Sequence, residues 1–235
     1  MGRPKLRKID PRIDLSRHLK SLDELPRPLS AEVLFGRQAP LEIEVGSGKG
    51  LFLRSEAAAR PDTVFLGIEI ARPYACYAAA GLARCGLTNA MILWGDAVRA
   101  FAEALSDGEV AAVHIYFPDP WWKRRHKKRR VMREGFVRDI ERVLRPGGLL
   151  HYWTDVEEYF HTGVALVSSQ TKLAGPFEAP AGPDTDFRTH FERRTRLGGR
   201  PVYRAEFRKA SFPSAALGKQ DDAPSPARPP ANQDG

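Results

Sequence analysis

The densest group of residues able to do chemistry follows the apolar run at residues 110–117 of the 235-residue sequence. Residues 117–122 are FPDPWW, and residues 123–130 are KRRHKKRR. The two prolines restrict the backbone on either side of Asp119, which predicts a carboxylate held on a stiff loop. Tryptophan rings offer surfaces on which a nucleic-acid base stacks, and lysine and arginine bind phosphates. The spacing therefore predicts a reactive carboxylate, base stacking and phosphate binding within one short segment.

Each part of this segment also has a plainer interpretation. A run of lysines and arginines is often a solvated face or a localisation patch, and a tryptophan pair often packs in a core. Here, however, all three features directly follow one apolar run, and the chain carries a net charge of +8. This combination favours a nucleic acid as the partner.

A second group of residues is suited to binding a nucleoside. Residues 44–50 are EVGSGKG, and their glycines let the backbone turn sharply and approach a ligand closely. The GxGxG spacing departs from the dinucleotide pattern GxGxxG. A Walker A loop is excluded as well, because Ile43 and Gly50 stand where it requires glycine and a hydroxyl residue.

Acidic residues lie at the ends of the first three predicted strands. Glu69 follows Gly46 by 23 residues, a spacing suited to an acid that accepts hydrogen bonds from ribose hydroxyls. Asp96 could contact an adenine amino group, cap the next helix, or do both. Together with Glu44, these carboxylates would repel a pyrophosphate and favour the sulfonium and ammonium groups of S-adenosylmethionine.

The elements that must position these residues alternate between strands and helices. Such alternation predicts an α/β fold in which a mostly parallel sheet is covered by helices on both faces and binds ligands beyond the carboxyl ends of its strands. The last predicted strand alternates in polarity and is expected to be antiparallel. Strands are predicted at residues 41–46, 64–70, 90–95, 110–117, 149–154 and 201–208, and helices at 51–60, 71–85, 97–105, 135–144 and 156–168.

Composition divides the chain into three parts. Residues 1–30 are basic and proline-rich and predict a flexible arm, residues 31–211 predict the enzyme domain, and residues 212–235 predict a disordered tail. Cys76 and Cys85 fall in one predicted helix, too far apart for a disulfide, which favours a reducing cytoplasm. No zinc-ligand spacing and no membrane-spanning apolar run is present, so we expect neither a metal nor a membrane.

The segment at residues 117–130 is similar to the signature of the bacterial tRNA (guanine-N7-)-methyltransferase family. The resemblance extends over about residues 40–208, and His190 replaces the lysine of a late motif commonly written T-K-F-E. Four further segments resemble motifs of that family: residues 44–50 and 67–69 its cofactor motifs, residues 154–155 its substrate-site aspartate, and residues 189–192 (THFE) the late motif.

The resemblance implies a Rossmann-like class I methyltransferase fold and the formation of 7-methylguanosine at position 46, in the tRNA variable loop. It implies S-adenosyl-L-methionine as methyl donor, S-adenosyl-L-homocysteine as coproduct and tRNA as partner. We expect no obligatory protein partner, and a monomer or weak homodimer. Asp119 is the implied catalytic residue. Cofactor contacts are expected at Glu44, Gly46, Gly48, Glu69, Asp96 and Asp119, substrate contacts at Lys123, Asp155, Thr189, His190, Phe191 and Glu192, and RNA contacts at Arg125, His126, Lys127, Lys128, Arg129 and Arg130.

The chemistry of guanine limits what these residues must do. Guanine N7 carries a lone pair and no proton, so its attack on a sulfonium methyl needs no general base. Catalysis is expected to come from in-line alignment and from a carboxylate, Asp119 or Asp155, that holds the base through its N1–H and amino group. We expect Asp119 to position the base and assist electrostatically rather than to take a proton.

Three alternatives remain open. Amino-group methyltransferases acting on adenine or cytosine carry a D/N-P-P-aromatic motif, which residues 119–122 resemble except that Trp121 replaces the second proline. An NAD-dependent oxidoreductase is disfavoured by the glycine spacing and the acidic strand ends. An RNA-binding protein with an inactive methyltransferase fold is opposed by the intact glycine turn and by Glu69.

Overall fold

An eight-stranded sheet forms the centre of the protein. The computed structural model describes residues 6–121, 125, 129–179 and 187–211. The strands lie in the order β1-β4-β3-β2-β5-β6-β8-β7. Their bounds are β1 Leu19–Ser21, β2 Leu41–Val45, β3 Val64–Glu69, β4 Ala90–Trp94, β5 Val110–Tyr116, β6 Leu144–Thr154, β7 Ala174–Phe177 and β8 Tyr203–Arg208.

Helices connect the strands and cover both faces of the sheet. One face packs against Phe101, Phe136 and Tyr159, and the other packs against Phe52 and Ala78. The helices are α1 Ala31–Phe35, α2 Leu51–Ala59, α3 Arg72–Arg84, α4 Ala97–Glu103, α5 Glu134–Val143, α6 Glu157–Gln170 and α7 His190–Leu197, with a short 3-10 helix at Leu22–Glu24.

Burial explains why the central strands were readable from the sequence. Every residue of β2, β3 and β5 is buried, as expected for parallel strands covered on both faces. The pairings β1·β4, β4·β3, β3·β2, β2·β5 and β5·β6 are parallel, whereas β6·β8 and β8·β7 are antiparallel. The predicted α/β class, with a mostly parallel sheet and a late antiparallel strand, is confirmed.

The N-terminal segment differs from the flexible arm predicted for residues 1–30. Leu19–Ser21 forms β1, which pairs with β4 at the sheet edge, and both Leu22 and Leu29 are buried in the core. Part of the predicted arm is therefore packed on the sheet. A three-residue strand is too short to show the alternation that identifies a strand. The predicted tail at residues 212–235 lies outside the described residues.

The remaining differences are one strand start and three elements that were not predicted. Strand β6 begins at Leu144 rather than at residue 149, because Leu144 already pairs with Val110 before a register shift. Helices α1 and α7 and strand β7 were not predicted as elements.

Candidate active site

Glu44, Glu69, Asp96, Asp119 and Asp155, all within the described residues, lie at or just after the carboxyl ends of the parallel strands. Val45 at the end of β2 pairs with Ile68 of β3 and with Ile115 of β5. The loop at residues 46–50, here called the glycine loop, therefore leaves the sheet between the segment that follows Glu69 and the segment that carries Asp119. This is where the chain connections diverge to opposite sides of the sheet, and α/β sheets bind ligands at such a point.

The glycine loop has the backbone that its sequence predicts. Gly46, Gly48 and Gly50 have φ angles of 79°, 53° and 69°, which favour glycine. Gly50 also packs against α3, since a methyl group there would lie 2.9 Å from the Ala78 Cβ. Nothing lies within 4 Å of the corresponding position on Gly46, so this side of the loop is open to a ligand.

Glu69 holds the glycine loop in place. Its Oε2 accepts a hydrogen bond from the Gly48 backbone N–H at 2.9 Å, and its Oε1 accepts one from Ala71 N–H at 2.8 Å. A carboxylate oxygen can accept a second bond, so ribose hydroxyls can still donate to Glu69. Loop positioning was not foreseen from the sequence and is compatible with the predicted ribose contact.

Glu44 is the most unusual acid of the site. Its side chain is only 3% exposed, and its Oε2 has no hydrogen-bond partner among the described residues. Burial, reinforced by the nearby carboxylate of Glu69 and opposed by Ser47, raises the pKa of Glu44 to about 8. A buried acid with one unpartnered oxygen is suited to receive a cation such as an ammonium group.

Asp96 caps a helix, one of its two predicted roles. Its side chain accepts from the Val98 backbone N–H at 2.9 Å at the start of α4, and the residue is exposed. Next to it lie two apolar residues that the sequence analysis missed. Ile70 is 65% exposed directly after Glu69, and the Trp94 Nε1 donates to the Ile70 carbonyl at 3.2 Å. The position of Ile70, an apolar residue directly after the acid that ends β3, could have indicated it from the sequence.

The Asp119 loop is strained and well braced. Phe117 and Trp121 have φ angles of 51° and 43°, which cost free energy in residues other than glycine. The Phe117 N–H donates to the Trp153 carbonyl at 2.8 Å, and the Arg130 Nε donates to the Pro120 carbonyl at 2.6 Å. Asp119 itself is exposed at the edge of the sheet. Such strain is found at functional sites, where the surrounding structure fixes the geometry.

The predicted RNA-contact residues are only partly described. Arg125 and Arg129 are exposed, and the Arg129 guanidinium lies 5.2 Å from the centre of the Trp121 ring. Arg130 lies over the Tyr159 ring at 4.7 Å, so together with its bond to Pro120 it braces the loop. Trp122, Lys123, His126, Lys127 and Lys128 lie outside the described residues.

Asp155 lies at the same edge but is engaged by a cation. The Arg200 guanidinium forms an ion pair with its Oδ2 at 3.2 Å, and the Asp155 side chain is 12% exposed. Asp119 and Asp155 thus differ in surroundings, although the sequence could not distinguish their roles.

The late motif at residues 189–192 begins α7. Thr189 is the N-cap, and its side chain accepts from the Glu192 backbone N–H at 2.9 Å. Glu192 is 2% exposed and accepts from the Arg204 guanidinium at 3.0 Å. Phe191 packs on Phe117, with ring centroids 4.9 Å apart, and His190 is exposed. Thr189 and Glu192 therefore fix the start of the helix. Phe191 lies beside the Asp119 loop, and His190 lies at the surface.

Comparison with known proteins agrees with this geometry. A family model described as "Putative methyltransferase" matches residues 38–205. A tRNA (guanine-N(7)-)-methyltransferase of Rhodopirellula baltica is 48% identical over 220 residues, covering 90% of this chain and 81% of the relative. A protein of the same name from Cupriavidus necator is 40% identical, covering 78% of this chain and 72% of the relative. The chain belongs to the tRNA (guanine-N(7)-)-methyltransferase family.

Solved structures show the same fold at low sequence identity. The 16S rRNA methyltransferase KamB superposes with a TM-score of 0.59 at 17% identity, covering 76% of this chain and 92% of that one. The aminoglycoside resistance methyltransferase NpmB1 gives 0.56 at 19% identity, covering 79% and 98%. The family member described here thus has the methyltransferase fold that its sequence predicts.

No group of three or more His, Cys, Asp or Glu side chains within the described ranges could hold a metal ion. No helix in those ranges is long and apolar enough to cross a membrane.

Proposed function

We propose that this protein transfers a methyl group from S-adenosyl-L-methionine to N7 of a guanine in tRNA. The main support for this proposal is that two loops, one after β2 and one after β5, lie next to each other. The glycine loop after β2 and the Asp119 loop after β5 leave neighbouring strands, paired at Val45 and Ile115. A methyl donor held by the first loop would lie next to a base held by the second.

The described residues fit S-adenosyl-L-methionine. When bound, it supplies an electrophilic methyl group on a sulfonium. Glu44 would pair with its ammonium, because Glu44 is buried with an oxygen that has no hydrogen-bond partner among the described residues. Glu69 would accept from the ribose hydroxyls, and Gly46 and Gly48 would leave room for the backbone to approach. Asp96 would contact the adenine amino group, and Ile70 would offer the ring an apolar surface.

We assign the guanine-facing role to Asp119 rather than to Asp155. Asp119 is exposed on the loop after β5, where a base can reach it, whereas the Asp155 side chain is only 12% exposed. Asp119 would accept from the guanine N1–H and amino group, and its charge would offset the positive charge that grows on the purine. No proton leaves N7, so Asp119 holds and stabilises the base without acting as a general base.

The rival amino-group methyltransferase reaction is not favoured. Its motif requires a second proline where this chain has Trp121, and the relatives reported above carry the name of the guanine-N7 enzyme. We further propose the variable-loop guanine as the target, S-adenosyl-L-homocysteine as coproduct, no metal requirement and a cytoplasmic location. We also propose a monomer or weak homodimer that needs no obligatory protein partner.

A direct product assay tests the proposal. The purified full chain is incubated with labelled S-adenosyl-L-methionine and unmodified tRNA transcript, and the RNA is digested to nucleosides and analysed by mass spectrometry. We expect label in 7-methylguanosine, and none when the variable-loop guanine is replaced by adenine. Label in N6-methyladenosine or N4-methylcytidine would contradict the proposal.

A further inference from the structure

Four cations lie near enough to His190, at the start of α7, for their charges to affect it. They are Lys49, Arg54, Arg193 and Arg194, here called the second basic patch. They belong to different parts of the chain from the basic run at residues 123–130. The late motif therefore has charged neighbours that the sequence could not place together.

Three contacts fix this junction. The Arg54 guanidinium donates to the Lys49 carbonyl at 3.0 Å, which ties α2 to the glycine loop. The Arg188 guanidinium lies 3.4 Å from the Glu56 carboxylate, which ties the segment before α7 to α2. The packing of Phe191 on Phe117 places the start of α7 against the Asp119 loop. The second basic patch thus lies next to the site where the target base would be held.

The positive charge of this patch is not neutralised within the described part of the chain. Arginines elsewhere form ion pairs, including Arg60 with Glu42, Arg142 with Asp107 and Arg204 with Glu192. The four cations of the patch form none among the described residues. Partial burial and the charges of these four residues lower the pKa of His190, as expected where cations crowd together.

We propose that the second basic patch binds backbone phosphates of the tRNA substrate, separately from residues 123–130. This inference rests on the proposed function and adds a second point of RNA contact. Arg193 and Arg194 are exposed on α7, where a large ligand can reach them. The carboxylate of one cofactor molecule could neutralise only one of the four charges, whereas RNA supplies a phosphate at every nucleotide.

A paired charge reversal tests the proposal. Arg193→Glu with Arg194→Glu is compared with Arg84→Glu with Arg145→Glu, which makes the same change in net charge. Arg84 ends α3 and Arg145 lies near the start of β6, so both exposed control residues are at the opposite edge of the sheet. Binding of tRNA is measured from low to moderate salt, and binding of S-adenosylhomocysteine is measured by calorimetry.

We expect the Arg193/Arg194 variant to bind tRNA at least about 10-fold more weakly, with a salt dependence reduced by about 0.7–0.9 per lost phosphate contact. The control variant should lose much less, and both should bind S-adenosylhomocysteine like the parent. The milder Arg193→Gln with Arg194→Gln provides the same comparison if the reversal unfolds the protein.

Equal losses of tRNA affinity in patch and control variants would overturn the proposal, since only net charge would then matter. Loss of S-adenosylhomocysteine binding with tRNA affinity unchanged would assign the patch to the cofactor and overturn it too. Failure of the proposed function is distinguishable, because it appears in the product assay. A parent protein that methylates a different base while the patch variant still loses tRNA affinity leaves this inference standing.

Discussion

The carboxylate of Glu69 accepts a hydrogen bond from the backbone N–H of Gly48 across 2.9 Å. This bond joins the residue that ends β3 to the loop that follows β2, so the two cofactor motifs of the sequence are physically one unit. The same side chain anchors the next segment through Ala71 N–H. A substitution at Glu69 should therefore affect the shape of the loop as well as the contact with ribose.

Replacing Glu69 with glutamine should weaken cofactor binding by about 10- to 100-fold, the range for losing a hydrogen bond to a charged group. The amide can still accept from Gly48, but its NH2 group would face the Ala71 N–H and cannot accept from it. Calorimetric titration with S-adenosylhomocysteine measures the loss. The control is Glu178→Gln, an exposed acid after β7, and equal affinities in the two variants would count against the role given to Glu69.

Replacing Glu44 with glutamine should stabilise the protein in the absence of cofactor. The pKa of this carboxyl rises from 4.5 to about 8 on folding, so the folded state keeps a proton that the unfolded chain loses as the pH rises above 4.5. The wild type therefore loses stability between pH 4.5 and about 8, and glutamine removes that penalty. At about 1.4 kcal/mol per pH unit, the gain at pH 7 is at most about 3.5 kcal/mol.

Chemical denaturation of both proteins at several pH values measures this difference. The gain should vanish near pH 4.5, and the variant should bind S-adenosylhomocysteine more weakly because it lacks the carboxylate. Glu103→Gln is the control of opposite sign, since the Arg99 side chain lowers the pKa of Glu103. A Glu44→Gln protein with unchanged stability at pH 7.5 would show that the buried acid is not destabilising.

Replacing Asp119 should slow methyl transfer without removing a proton-transfer step. Alanine removes the charge and both acceptor oxygens, so single-turnover rates should fall by about 10²–10³, as for lost electrostatic stabilisation. Asparagine keeps one acceptor oxygen and should retain more activity than alanine. The three proteins are compared by single-turnover methyl transfer at one pH near neutrality. Equal rates in Asp119→Ala and in the parent would contradict the electrostatic role.

The sequence predicted the strands that are buried on both faces, and it predicted that candidate site residues follow their carboxyl ends. Leu41–Val45 alternates apolar residues with two glutamates, Val64–Glu69 is apolar apart from one glycine and its final acid, and the structure confirms both strands. A sequence pattern could not predict the contacts of residues whose partners are distant along the chain. The substrate contact of Glu192 stays a prediction, and the sequence did not show that this side chain is buried against Arg204, which lies 12 residues later in β8.

The same limit applies to Arg130, whose RNA contact stays a prediction. Its hydrogen bond to the Pro120 carbonyl depends on how the loop folds back, and local composition does not encode this. The Leu19–Ser21 strand was missed for a related reason, because its pairing with β4 is supplied by residues more than 70 positions away.

Gly67, within the second cofactor motif, should not tolerate a side chain. A methyl group there would overlap Leu53 Cδ1 and Ser47 Oγ and would lie 2.9 Å from Ile92 Cδ1. Since Ser47 belongs to the glycine loop, relief of this overlap would move the loop. We expect Gly67→Ala to lower the free energy of unfolding by about 1–3 kcal/mol, as for other overpacked cores, and to weaken S-adenosylhomocysteine binding as well.

The matched control is Gly135→Ala, in the first turn of α5, where nothing lies within 4 Å of the added methyl. Alanine favours the helix over glycine, so this variant should be unchanged or stabilised by up to about 1 kcal/mol. Urea denaturation and cofactor titration of the two variants provide the comparison. If Gly67→Ala matched Gly135→Ala in both measurements, the close packing of β3 against α2 and the glycine loop would not be what requires glycine at this position.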